Sequence, residues 1–144
     1  MPYLITKANQ DRLLEAAQTM TGSEGWMKDA IAFGAKDAKT GDIVAVSVFQ
    51  NFTAGGAEFH FAMIPAKTLS KGVIEAFLFT AFHPRALGLR KLYAHIAPEN
   101  AAAQRAALGV GFQFQYRKPD AMSGGGDMIV MTLDAAPHQD AQAA

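Results

Sequence analysis

An α+β domain, layered α/β/α around a mixed central sheet of about seven strands, is what the sequence predicts, and three observations predict it. From Glu58 to Met63 the chain alternates, with Phe59, Phe61 and Met63 on one side and Glu58, His60 and Ala62 on the other, which is the period of a strand. Beyond Pro65 and a polar loop, Val73, Ile74, Phe77, Leu78 and Ala81 recur at three and four, the period of a helix with an apolar face. Alternation then returns at Leu92, Ala94 and Ile96. A strand, a helix and a strand joined by one connection make a crossover, so the fourth and fifth strands should run parallel on either side of the third helix.

The elements follow in order. Tyr3 to Thr6 reads as the first strand. Asn9 is placed to cap a helix through about Met20, with Leu13, Leu14, Ala17 and Met20 inward. Thr21-Gly22-Ser23 breaks it, and Ser23 is expected to cap a second, short helix that buries Trp26 and Ala30. A strand is expected at Ala32 to Lys36, a turn at Lys39-Thr40-Gly41-Asp42, and a strand rich in Val and Phe from Ile43 to Phe52. Ala54-Gly55-Gly56 turns the chain into the Glu58 strand, completing an antiparallel meander. Pro65 has no N–H for a ladder and ends that strand. The loop that follows carries Lys67, Ser70, Lys71 and Gly72 and leads into the first turn of a helix, whose free N–H groups and dipole favour an anion.

His83-Pro84 stops that helix. Lys91 to Ile96 is the crossover strand. Pro98-Glu99-Asn100 opens an alanine-rich helix through Leu108, with Gly109 expected to close it. Phe112 to Lys118 and Met128 to Leu133 are strands expected to pair as a hairpin around the loop from Pro119 to Gly126. The tail from Ala135 has no apolar pattern and is expected to be disordered, leaving residues 1–134 as one domain.

Composition narrows the function classes. Half of the 144 residues are apolar and 18% are charged, so the chain is globular. A formal net charge of zero gives no bulk attraction to nucleic acid or to an anionic membrane. The absence of cysteine removes disulfides, thiolate nucleophiles and thiolate metal sites. No apolar run reaches a membrane span and the N-terminus lacks the basic region of a signal peptide, so a soluble, cytoplasmic protein without membrane partners is the expectation.

Two stretches carry a family resemblance. One is K-T-L-S-K-G, Lys67 to Gly72. The other is K-L-Y-A-H-I-A-P-E-N-A-A-A-Q-R-A-A-L-G-V-G-F, Lys91 to Phe112, a strand, an Asn at a helix start and a Gly-Phe pair opening the next strand. With the element order, the chain from about Tyr3 to Leu133 resembles the GCN5-related N-acetyltransferase (GNAT) superfamily. The first stretch has the spacing of that family's acyl-CoA signature, with Lys67 at the Gln/Arg position and Ser70 and Gly72 at the two glycines. The second is the more specific of the two.

The resemblance implies an acyl-CoA-dependent N-acyltransferase, with acetyl-CoA or another acyl-CoA as co-substrate, no metal, and an amine on a small molecule or a protein as acceptor. It implies that the pyrophosphate sits on backbone N–H groups from Leu69 to Val73, helped by Lys67 and Lys71. It places the pantetheine arm in a wedge bounded by Phe61, Met63 and Ile64 on one strand and Tyr93 to Ile96 on the other, with Asn100 bonding it. Ser70 departs from the glycine of the pattern, and Ala107 stands where the family often has the tyrosine that protonates the leaving thiolate.

For catalysis the resemblance points to Glu58 as general base, because an ammonium has no lone pair with which to attack a thioester. His60 shares the face of Glu58 and either relays its proton or is a half-buried packing residue; His95 carries the same two readings. With Ala107 in place, the acid is Tyr116, Tyr93 or a water. Gly124-Gly125-Gly126 lacks the lysine and helix of a phosphate loop and reads as a hairpin connection. No histidine pair has ligand spacing on a helix face, so no metal site is expected. Arg85, Arg90, Lys91 and Arg105 form a modest basic cluster, either a solvated surface or a partner for the 3′-phosphate of CoA. Two other readings stay open. One is a catalytically inactive GNAT-like binding or structural module of the compact phage type. The other is a GNAT-like nucleic-acid modifier, which the zero net charge disfavours. Exposed strand edges also allow a homodimer.

Overall fold

The computed structural model describes residues 3–21, 25–63, 71–121 and 125–135. Seven strands and three helices follow one another as β1 (Tyr3–Thr6), α1 (Gln10–Thr21), β2 (Ile31–Asp37), β3 (Ile43–Gln50), β4 (Gly56–Met63), α2 (Lys71–Phe82), β5 (Lys91–Ile96), α3 (Ala101–Gly109), β6 (Gln113–Lys118) and β7 (Met128–Asp134). They form one seven-stranded sheet in the order β1-β2-β3-β4-β5-β7-β6. Every neighbouring pair is antiparallel except β4 and β5, which are parallel across α2 as the crossover requires. This is the expected α/β/α arrangement of a mixed sheet.

Strand alternation divides the apolar residues between two layers. Phe33, Phe49, Phe59, Phe77, Phe82 and Phe112 lie in the larger core, where α2 packs and where Ala103 and Ala107 of α3 rest against it. Val46 and Val48 of β3 face the other way, onto Leu13 and Ala17 of α1. Gly34 of β2 lets α1 come close, since a Cβ there would lie 2.7 Å from Leu13 Cδ2. The phenylalanines interlock rather than pile loosely: Phe59 stacks on Phe112 at 6.1 Å and Phe61 meets Phe77 edge-on at 5.7 Å.

Several expectations need correction. Residues 25–30 form a loop with a turn rather than a second helix, and Ser23, its expected cap, lies outside the described residues. That loop is held by side chains, not by a helical ladder. Trp26 Nε1 donates to the Leu14 carbonyl, Met27 N–H to Gln50 Oε1, and the Asp29 carboxylate accepts from Asn51 N–H and Phe52 N–H. Gly109 is still helical, and the chain leaves α3 through Gly111, whose φ of +105° is glycine territory. Ala135, first residue of the patternless tail, is buried and donates its N–H to the Arg90 carbonyl at 2.8 Å. The rest of the tail lies outside the described residues. No described helix is long and apolar enough to cross a membrane.

Candidate active site

The site begins with an interruption in the sheet. The β4–β5 ladder runs through Gly56↔Lys91, Ala57↔Leu92 and Glu58↔Tyr93 and stops there, while β4 continues to Met63 and β5 to Ile96. Beyond Glu58 and Tyr93 the facing strand edges therefore have no ladder partners in each other. The gap between them is a groove of about 690 Å³. Phe61 of β4, Ile96 of β5 and Ile74 in the first turn of α2 line it, and α3 contributes only the small side chains of Ala102, Ala103, Ala106 and Ala107. Alanines at these positions keep a narrow channel open where larger residues would fill it.

Three titratable side chains meet where the strands part. Glu58 and His60, two apart on β4, share a face, and His95 of the parallel β5 arrives beside them. Glu58 Oε1 lies 3.1 Å from His95 Nδ1, within hydrogen-bond reach, and 3.8 Å from His60 Nε2, beyond it. The Glu58 side chain is 16% exposed. The His60 and His95 imidazoles hold its carboxyl well below the usual carboxylate range against the opposing pull of burial, and a side-chain hydrogen bond with Asn51 makes the smallest contribution. Glu58 is thus an anion held by its neighbours.

His60 is engaged elsewhere. Its ring packs edge-on against Trp26 at 5.3 Å. Its Nε2 lies 3.5 Å from Gln50 Nε2, while Gln50 Oε1 accepts from Met27 N–H at 2.8 Å. The Met27 bond fixes which end of the Gln50 amide faces the ring, and it is the NH₂ end. Among the described residues no three His, Asp or Glu side chains are disposed to hold a metal.

The structure brings together some of the residues singled out in the sequence and not others. Glu58, His60, Phe61 and Asn100 converge on the groove or its closed end. Asn100 Oδ1 accepts from Ala103 N–H at 3.1 Å as the cap of α3, which leaves its amide NH₂ and one oxygen lone pair for a ligand. Met63 ends β4, paired with Ala45. Lys71 and Gly72 open α2, and Val73 is buried in the core. Ile64, Lys67, Leu69 and Ser70 lie outside the described residues. Tyr116 stands apart: it pairs with Val130, which pairs with His95, so two strand spacings, about 10 Å, separate it from β5. Ala107 lines the groove and offers no hydroxyl. Gln50, Asn51 and Trp26, which set the surroundings of the histidines, were not among the candidates. Gln50 had one signal, a polar residue at the end of a strand otherwise built of apolar side chains and one serine.

No family model and no curated protein sequence matches the chain. Solved structures do. A chimera of spermidine N-acetyltransferase SpeG from Vibrio cholerae with hSSAT superposes with a TM-score of 0.80 at 15% identity, covering 96% of this chain and 99% of that one. The dodecameric V. cholerae enzyme in an intermediate state gives 0.78 at 16% identity over 95% and 96%. The same enzyme in complex with manganese ions gives 0.79 at 16% over 96% of each chain. At such identities the likeness is one of fold: the chain has the GNAT fold over nearly its whole length.

Proposed function

We propose that the chain is an acyl-CoA-dependent N-acyltransferase that passes an acetyl group to an amine by direct attack on the thioester. The observation that carries this is the early end of the β4–β5 ladder. It leaves two strand edges with backbone N–H and C=O groups facing a narrow, alanine-floored channel, with a carboxylate–imidazole pair at its closed end. An extended chain carrying amides, such as the pantetheine arm of CoA, suits that channel because its amides can replace the missing ladder bonds. When bound, acyl-CoA supplies an activated carbonyl, and the protein has to receive the proton of the attacking amine.

Polyamines are the first acceptors to try, given the spermidine enzymes of this fold. The test is binding followed by turnover. Saturating acetyl-CoA should raise the melting temperature by several degrees, as expected for a ligand at about 100 times its Kd. Ala106→Phe, which fills the channel from α3, should abolish the shift. An unchanged melting temperature for the unmutated protein at saturating acetyl-CoA would sink the proposal.

A second reading, a GNAT-like module that binds without transferring, is favoured by Ala107, which leaves no hydroxyl at the channel wall. It predicts no thermal shift with acetyl-CoA and a protein partner that co-purifies with the chain. We also infer that two copies pair along β6, the edge strand on which Phe114 and Tyr116 stand exposed.

A further inference from the structure

We propose that His95 takes the proton of the acceptor amine and that Glu58 is the positioning residue that sets its tautomer. This rests on the N-acyl transfer reading and assigns its base to a residue on β5 rather than to the carboxylate on β4.

Glu58 is poorly suited to be the base itself. Its Oε1 is held by His95 Nδ1 at 3.1 Å, and a carboxylate so stabilised as an anion is a weak proton acceptor. An ionised carboxylate can only accept, so the bond to His95 requires the proton on Nδ1. Neutral His95 then carries its lone pair on Nε2. Among the described residues nothing bonds Nε2, and the His95 side chain, 27% exposed, lines the groove. A carboxylate behind one imidazole nitrogen, with the other nitrogen open to a channel, is the arrangement that orients a base and steadies the imidazolium it becomes.

His60 does not compete for the role. The Gln50 amide, turned by its bond to Met27, stands 3.5 Å from His60 Nε2, so that nitrogen already has a polar neighbour from β3. At 3.8 Å it is also outside hydrogen-bond reach of Glu58. Trp26 covers the ring edge-on. Two histidines flank one carboxylate, and among the described residues it is His95 that bonds it within 3.1 Å and has a second ring nitrogen without a hydrogen-bond partner.

The step balances without a further reagent. The nitrogen of the neutral amine forms a bond to the thioester carbonyl carbon. His95 Nε2 removes a proton from that nitrogen, and the resulting imidazolium is paired with the Glu58 carboxylate. Collapse breaks the carbon–sulfur bond, the sulfur leaves as thiolate, and the imidazolium returns the proton to it. The products are an amide and a thiol.

The experiment has two readouts. Long-range ¹H–¹⁵N spectra of the histidine rings in the full chain, assigned with His95→Gln and His60→Gln, report tautomers without any ligand. The expected result is the Nδ1–H form for His95, shifting toward Nε2–H in Glu58→Gln. In turnover with acetyl-CoA and an accepted amine, His95→Gln should lose about 10²-fold in kcat/KM while its Kd for acetyl-CoA stays within about twofold. The loss in His60→Gln should be at least about tenfold smaller than in His95→Gln. An Nε2–H tautomer at His95 in the unmutated protein, or equal losses in the two histidine variants, would overturn the assignment and leave the transfer reading standing. If acetyl-CoA binds and no amine is acetylated, the transfer reading falls and takes the assignment with it. The tautomer is read on the unmutated chain, so a variant that fails to fold does not remove the test.

Discussion

Glu58 is more acidic in the fold than in the unfolded chain because His60 and His95 stand beside it, and that difference couples its ionisation to stability. The unfolded chain binds the proton more readily. The contribution is therefore complete above the unfolded carboxylate pKa of about 4.3 and is lost as pH falls below it. Urea midpoints should show the unmutated protein ahead of Glu58→Gln by on the order of 2 kcal/mol at pH 6, with the gap narrowing by pH 3. A gap that widens in acid would contradict this. Ser47 makes the opposite case. It is fully buried, paired with Phe33 and Phe61 on its two neighbours, and its hydroxyl has no partner among the described residues. Since an unsatisfied buried hydroxyl costs about 1–3 kcal/mol, Ser47→Ala should leave stability unchanged or raise it by about 1 kcal/mol in the same assay. Alternation within a strand was legible in the sequence, so the shared face of Glu58 and His60 was too. The His95 contact was not, because it depends on the register between two strands that are far apart in sequence, and periodicity carries no register.

Elements are tied together here by side chains acting as backbone. The Gln10 amide at the start of α1 accepts from Ala32 N–H and donates to the Ala32 carbonyl, both at 2.8 Å, and so extends the edge of β2 beyond β1. Gln10→Ala should cost about 1–3 kcal/mol in urea unfolding, because two part-buried backbone groups lose their partner at once. Gly111 is the second such point. Its positive φ and the 3.3 Å approach of a Cβ to Leu133 Cδ1 predict that Gly111→Ala is destabilising by about 1–2 kcal/mol, whereas Gly109→Ala, with open space around it, is neutral or better. The same contrast shows where reading by pattern stops. The strands with alternating Val, Phe and Leu were legible, as was the helix that starts at Asn100. The segment after Thr21 was not, because Trp26 and Ala30 are half-buried on a loop whose hydrogen bonds go to Gln50, Asn51 and Phe52, residues remote in sequence.

At the scale of the molecule, the sheet has two open edges, and β6 is exposed along its whole length. Phe114 is 58% and Tyr116 53% exposed, while Arg117 is turned to Asp127 at 2.7 Å. If β6 joins two copies, sedimentation velocity should show a dimer at tens of micromolar that Phe114→Lys converts to a monomer, on the grounds that a charge blunts a strand edge. The other feature at this scale is the early end of the β4–β5 ladder. Among the described residues, three ladder pairs join a four-stranded antiparallel half of the sheet, β1 to β4, to a three-stranded one, β5, β7 and β6. A sheet with so brief a seam resembles a hinged book more than a plank. The seam is where amide protons should exchange first, and a ligand chain laid into it acts as a bookbinder's thread. Slowed exchange should then appear in β4 and β5 together, on both pages at once, rather than in the strand that happens to touch the ligand more.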